Sequence, residues 1–312
     1  MPAIDNRCPQ ISMPLFFLQF RGELAALSAA FIWACASIVY TNVGRQLSPL
    51  GLNFTKGWIA IALLVFTFMV TGQTYPTLDF PGFALLFLSG AIGIGFGDTA
   101  YFSALNCIGA RRTLLFETLA PPLSAILALL FLQEQLLPNA WIGIALTLLG
   151  VVWVILERVP ESHPGNFRPR LGSLYGLLAA IGQAVGAVLS RAALVNTEID
   201  SLWSTLIRLL GGTFVLLIWI TLQHQATEIV KPLQSRRLLL VIAGTAFTST
   251  YLGIWLQQTS LKFAATGIAQ ALSSTSPLFV IPLVAMLGER ITGRSMMGVL
   301  LAFIGISLLF NR

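Results

Sequence analysis

Four ionisable side chains stand inside stretches that are otherwise apolar: Lys56, Asp98, Glu117 and Arg208. A charge in hydrocarbon costs from about 2.5 to more than 10 kcal/mol, so each must face a polar interior or escape to an interface. Two are cationic and two anionic, a balance that suits a zwitterionic solute. Asp98 is the most informative, because its short side chain cannot snorkel as lysine and arginine do. It follows Gly90, Gly93, Gly95 and Gly97, which let a neighbouring backbone approach closely and loosen the helix near the acid. Its bland alternative is to cap a local helix break. Glu117 has three readings: a local salt bridge to Arg111 or Arg112, a solvated helix end, or a cavity acid that pairs with Lys56 or titrates with substrate. Lys56 and Arg208 lie roughly 9 Å into their helices, where long stems either snorkel or face a cavity.

Uncharged groups of the same helices add Trp33, Tyr40, Tyr101, Gln183, Gln257 and Gln270. A mid-membrane amide needs partners from another helix or from cavity water. An aromatic there packs, anchors at an interface or stacks on a cationic or apolar solute. Pro121 and Pro277 predict kinks in apolar helices, and the hydroxyls of Ser273 to Ser276 either satisfy the carbonyls that Pro277 frees or bind substrate. Catalytic chemistry finds no constellation. His163 and His224 fall in loops, and no zinc motif, nucleophile elbow or serine–lysine arrangement can be assembled. A phosphate-binding loop and a potassium-filter segment are also absent, and the three cysteines have no metal-ligand or redox spacing. The sequence calls for no cofactor and no metal.

The elements that position these residues follow from composition. Of 312 residues 56% are hydrophobic and only 10% charged, against about a quarter charged in soluble domains; mean hydropathy is +0.83. Lipid must be the solvent. The net charge of +6 comes from basic residues scattered singly through short loops, which excludes a nucleic-acid face. Windows of about 20 apolar residues predict ten spans, at 23–43, 50–71, 82–105, 112–132, 138–156, 172–194, 201–222, 237–260, 265–287 and 292–311. Residues 1–21 read as an interfacial lead-in and 157–171 as a polar linker between five spans and five.

The two halves repeat. Gly22 pairs with Gly172, and Ala34 with Ala184, at an offset of 150; Lys56 pairs with Arg208 at 152. Pro121 pairs with Pro277 at 156, and Glu134, Gly143 and Gly150 pair with Glu289, Gly298 and Gly305 at 155. Glu117 then corresponds to Ser273, Trp33 to Gln183, and Asp98 to Ile254, so the acid breaks the symmetry. Because five is odd, the halves enter the membrane from opposite sides, as in transporters built from inverted repeats.

These motifs resemble the EamA-type branch of the drug/metabolite transporter superfamily. The resemblance rests on Ala120-Pro121 through Gln133-Glu134 to Gly143 and Gly150, on Ser276-Pro277 through Gly288-Glu289-Arg290 to Gly298 and Gly305, and on the alanine-rich first span with Trp33-Ala34. It covers nearly the whole chain, about residues 22–156 and 172–311. It implies a central cavity lined by the first four helices of each half, with the fifth peripheral. Smaller relatives use a first-helix glutamate as their proton site. This first span is read as having no acid, so that coupling scheme does not transfer.

The expectation is an all-α polytopic protein of the plasma (inner) membrane that moves small metabolites, amino-acid-like or drug-like, by alternating access. Its partners are a small-molecule substrate, the lipid bilayer and protons or a solute gradient as driving force, with no nucleic acid. A channel or facilitative pore is the alternative, then an intramembrane enzyme. Loop charges set orientation: eleven Lys and Arg lie on the face of the odd-numbered connections and five on the face of the termini. The positive-inside rule therefore puts both termini outside the cytoplasm, whereas the resemblance implies termini inside. A dual reporter fused after Arg312 is expected to give periplasmic phosphatase activity; fluorescence confined to the cytoplasm would show the charge count misleading.

Overall fold

A computed structural model describes residues 15–43, 48–73, 79–158, 167–195, 197–223, 235–286 and 292–310, and all regular structure among them is helical. Helices α1 (Leu15–Gln19), α2 (Arg21–Val43) and α3 (Pro49–Thr71) come first. A composite helix follows, formed by α4 (Phe80–Gly90), a wide π-helical segment (Ala91–Asp98) and α5 (Thr99–Glu117). Helices α6 (Ala120–Phe131), α7 (Pro138–Arg158), α8 (Pro169–Leu194) and α9 (Ser201–Leu222) lead to a second composite. It comprises α10 (Arg236–Thr245), a π-helical segment (Ala246–Leu252) and α11 (Gly253–Phe263). Helices α12 (Thr266–Ser273), α13 (Ser276–Met286) and α14 (Gly293–Leu309) complete the order.

Local chemistry sets these limits. Ser48 accepts from the Gly51 amide at 3.2 Å and Pro49 occupies the first turn of α3, while Gly72 ends it at φ 64°. Asp79, Asp200 and Thr292 cap α4, α9 and α14 in the same way. Proline has no amide hydrogen and clashes with the carbonyl four residues back. Helix α5 accordingly stops at Glu117 before Pro121 and Pro122, and α12 stops at Ser273 before Pro277. The span expected at 265–287 is therefore two helices. The break expected between the third and fourth spans is a single residue, Gly109, with φ 79° and ψ 169°, a conformation glycine alone adopts without strain.

Among the described residues six helices are long and apolar enough to cross a membrane, including Leu50–Thr71, Pro138–Glu157 and Ser201–Leu222, and two shorter apolar helices accompany them. Large apolar side chains point outward: Phe66, Met69, Phe131, Leu300 and Phe303 are all more than half exposed. An outer surface of this kind suits acyl chains and no aqueous solvent. The protein is an integral, multi-pass membrane protein.

Small residues replace large ones wherever helices cross. Gly143 of α7 lies against the Gly305 carbonyl of α14, and Gly150 against Gly298, so the two helices run antiparallel. Gly93 and Gly97 oppose Gly186 and Gly182 of α8 at backbone distance. Gly90 lies on the carbonyl of Arg208, and Gly211 on that of Phe87, which sets α4 against α9. One expectation needs correction. The first span is not free of acid, because α2 starts at Arg21 and buries Glu23 completely in its first turn. A residue at the polar edge of an apolar window reads as flank until the helix start is known.

Gly90 and Gly244 separate packing from propensity. A methyl at Gly90 would land on the Arg208 backbone, whereas one at Gly244 meets nothing within 4 Å. Gly90→Ala is expected to abolish a monodisperse elution peak in detergent, and Gly244→Ala to leave it unchanged. Equal behaviour of the two would show that this crossing does not govern assembly.

Candidate functional site

The charged and amide residues converge on one cavity of about 310 Å³. Its wall takes Trp33 from α2, Lys56 from α3, Asp98 from the first π segment, Tyr101 and Glu117 from α5, and Pro121 from α6. Gln183 comes from α8, Arg208 from α9, Gln257 from α11, Gln270 and Ser273 from α12, and Pro277 from α13. Nine of the ten charged, amide and aromatic residues singled out in the sequence line this one space, as do both prolines. The Tyr40 side chain lies outside the described residues, as do His163, His224, Gly288, Glu289 and Arg290.

Asp98 has both oxygens engaged. Oδ2 faces Nζ of Lys56 at 3.4 Å, and Oδ1 accepts from Nε2 of Gln183 at 2.9 Å. It makes no side-chain cap on α5. Lys56 also lies 5.4 Å from the Phe102 ring. Glu117 does not provide Lys56 with its partner; its Oε1 is buried without a hydrogen bond. The nearby arginines turn elsewhere, Arg111 to the Leu156 carbonyl at 2.7 Å and Arg112 over the Phe167 ring. Of the hydroxyls before Pro277, Ser274 and Thr275 bond back to the α12 carbonyls of Ala271 and Leu272 at 2.8 and 2.6 Å, whereas Ser273 Oγ has no partner. Nε2 of Gln270 is likewise unpartnered. Buried polar atoms left unpaired are costly, and with Arg208 Nε four of them belong to residues that line one space.

The indole of Trp33 donates to the Ser249 carbonyl at 2.9 Å. Sequence reading missed Ser249 and Thr250 on the wall, and Ser190, Ser204 and Gln258 behind it. Gln258 carries the signal used for Gln257, an amide within an apolar span. The serines and threonines carry no such signal, because they satisfy themselves on helix carbonyls in any membrane helix.

The cavity is not centred between the two ends of the helices. Its lining includes Leu114, Val151 and Ile155, the last two near the C-terminal end of α7, a helix expected to stay peripheral. At the opposite end a polar clasp joins six chain segments. Arg191 meets Glu134 Oε1 at 2.5 Å and donates to the carbonyls of Leu261 and Lys262, each at 2.8 Å. Glu134 Oε2 accepts from the Thr266 amide at 2.9 Å, and Lys262 reaches the Ile199 carbonyl at 2.6 Å. Arg21 stacks on Phe263 beside them.

A lipid-facing helical shell around a buried, charge-lined cavity defines an integral membrane protein with a polar interior. The EamA-like transporter family model matches residues 20–156 and 170–311, and the chain belongs to that family. An uncharacterized transporter from Archaeoglobus fulgidus is 26% identical over 92% of this chain and 96% of its own length. An uncharacterized transporter encoded in the cobO 3' region of Sinorhizobium sp. is 30% identical over 41% of this chain and 91% of its own. A crystal structure at 17% identity covers 94% of this chain and 98% of its own, with a TM-score of 0.75, and so shares the fold.

Lys56 and Asp98 provide a direct check of the geometry. Their side chains are 16% and 23% exposed, between the surface and fully buried cases. Asp98→Asn is expected to cost about 1–3 kcal/mol by leaving the ammonium without a carboxylate. The Lys56→Gln, Asp98→Asn double variant should recover part of that loss in thermal unfolding. Strictly additive losses would mean that the two groups do not interact.

Proposed function

We propose that this chain is a secondary transporter of small metabolites, amino-acid-like or drug-like, in which two inverted five-helix halves, 22–156 and 172–312, cross the membrane ten times and alternate access to the cavity. Contacts that exchange under the repeat support the inverted halves. Gly143 with Gly305 becomes Gly298 with Gly150, and Gly22 against Phe263 and Ala264 becomes Gly172 against Cys107 and Ile108. The π segments at Ala91–Asp98 and Ala246–Leu252 and the helix breaks at Glu117 and Ser273 also fall at matching places. Such a pair of halves supplies two nearly equivalent arrangements open to opposite faces.

The observation that carries the reading is the position of the cavity. Charged residues line a space that reaches Val151 and Ile155 near one end of α7, while Glu134 and Arg191 bridge the other end. A solute so held is accessible from one side at a time. With no phosphate-binding loop in the sequence, a proton or solute gradient drives the cycle in the plasma (inner) membrane. Asp98, Lys56 and Glu117 are the titratable groups on the wall where coupling would be felt. A channel or pore is the second reading, and kinetics separate the two.

Purified protein in liposomes preloaded with a solute from an amino-acid and amine panel is expected to show saturable counterflow of the same labelled solute. Asp98→Asn should lose gradient-driven accumulation because the amide keeps the volume and loses the charge. Flux linear in concentration without counterflow would sink the carrier reading, and an unchanged Asp98→Asn profile would remove that residue from coupling.

A further inference from the structure

Lys56 and Arg208 hold matching places in the two halves, but their surroundings differ. Lys56 has a carboxylate at 3.4 Å in Asp98. The place that corresponds to Asp98 is Ile254, an apolar side chain on the cavity wall. Arg208 has no carboxylate within ion-pair distance among the described residues, and the Asp98 charge acts on it only from farther off. Its Nη1 donates to Oε1 of Gln258 at 2.8 Å, and more loosely to Gln257 Oε1 at 3.4 Å and Ser190 Oγ at 3.5 Å. All three acceptors are uncharged, the Nε has no hydrogen-bond partner, and the residue is 1% exposed. Guanidinium does not give up its proton under physiological conditions. A buried cation with no carboxylate in direct contact, on the wall of a solute cavity, is a place for an anion.

We propose that Arg208 is the anion-recognition point of the cavity and selects solutes that carry a carboxylate. The inference rests on the cavity being the solute site. The guanidinium is held for this task before any solute arrives. Gln258 is oriented by its own donation to Ser204 Oγ at 3.0 Å, so its carbonyl oxygen stays turned to Arg208. The Arg208 carbonyl lies on Gly90, and the missing side chain of Gly93 leaves room for Nη2, which a methyl there would approach to 3.1 Å. Little rotamer freedom is then lost on binding. Arg208 lies seven residues from the start of α9, about 10 Å from the clasped end, so the carboxylate goes in first and the remainder of the solute points toward Glu117. Lys56 does not compete, because Asp98 already neutralises it. A planar carboxylate matches the guanidinium fork, whereas the matched amide leaves the charge unpaired and is rejected.

The test is thermal stabilisation of the purified full-length protein by matched pairs: leucine and leucinamide, phenylalanine and phenylalaninamide, benzoate and benzamide, with phenyl phosphate as a further arm. At least one carboxylate is expected to raise the unfolding midpoint while its amide does not, a contrast that needs no variant. Arg208→Gln should weaken that ligand about tenfold or more, equivalent to about 1.4 kcal/mol, and Arg208→Lys should weaken it less. Stabilisation by amides as strong as by carboxylates, by phenyl phosphate alone, by no carboxylate, or undiminished in Arg208→Gln would overturn the proposal. Ser274→Trp, which fills the cavity, separates the two levels of failure. Ligands lost with Ser274→Trp but indifferent to Arg208→Gln would leave the cavity as the solute site and remove only the anion assignment. Carboxylates that bind equally in wild type and Ser274→Trp would refute both.

Discussion

Hydrocarbon solvates neither charge nor an unpaired peptide group, and the structure is arranged around that constraint. Its polar side chains turn inward, and its helices must then approach closely enough for those side chains to meet. Arg208 shows how the two demands are joined. Its carbonyl rests on Gly90 and its guanidinium on the space left by Gly93, so the glycines that let α4 reach α9 and the first π segment reach α8 also fix where the cation stands. With lipid tails as apolar as leucine, close packing and internal hydrogen bonds must hold such helices together. The position of the charge and the integrity of the bundle are one problem.

The repeat is kept where backbone meets backbone and abandoned where side chains meet the cavity. Gly143, Gly150, Gly298 and Gly305 are interchangeable across the halves, and so are the surroundings of Gly22 and Gly172. On the wall, Trp33 stands opposite Gln183 in the alignment, Glu117 opposite Ser273, and Asp98 opposite Ile254. Under the proposed function this division has a physical sense. A scaffold that exchanges two arrangements gains from matched interfaces, since neither arrangement is then favoured by packing. A solute has a head and a tail and gains from a wall that is not symmetric.

The sequence made the apolar shell, the breaks at the prolines and the repeated glycine spacing legible, because each is a local signal with a known period or a steric cause. It also singled out the residues that line the cavity, since an ion or amide in an apolar span has few other places to go. It did not show who meets whom. Lys56 and Asp98 are 42 residues apart, and nothing in their spacing distinguishes Asp98 from Glu117 as the partner; only the tertiary crossing of α3 with the first π segment decides it. Glu134 read as one of the residues shared by the repeat, and its place in the clasp needed Arg191, 57 residues away. Glu23 was lost to the edge of a window, where composition cannot tell flank from first turn.

The irregular backbone lies where the polar chemistry lies. Asp98 ends one π segment, Ser249 and Thr250 belong to the other, and Glu117 and Ser273 each stand at a proline break. Irregular turns release carbonyls, which cannot be left to lipid. In the π segments neighbouring helices supply the donors: Asn53 reaches the Ile94 carbonyl at 3.2 Å and Trp33 that of Ser249 at 2.9 Å. Thr99 supports the first segment from its own chain, bonding to Gly95, as Ser249 supports the second, bonding to Thr245. Wide turns thus carry side-chain donors beside their own backbone bonds, and a donor can be exchanged for another at far less cost than a helix can be unwound. Where a membrane protein must both surround a polar solute and change shape around it, irregular backbone beside the solute satisfies both needs with the same residues.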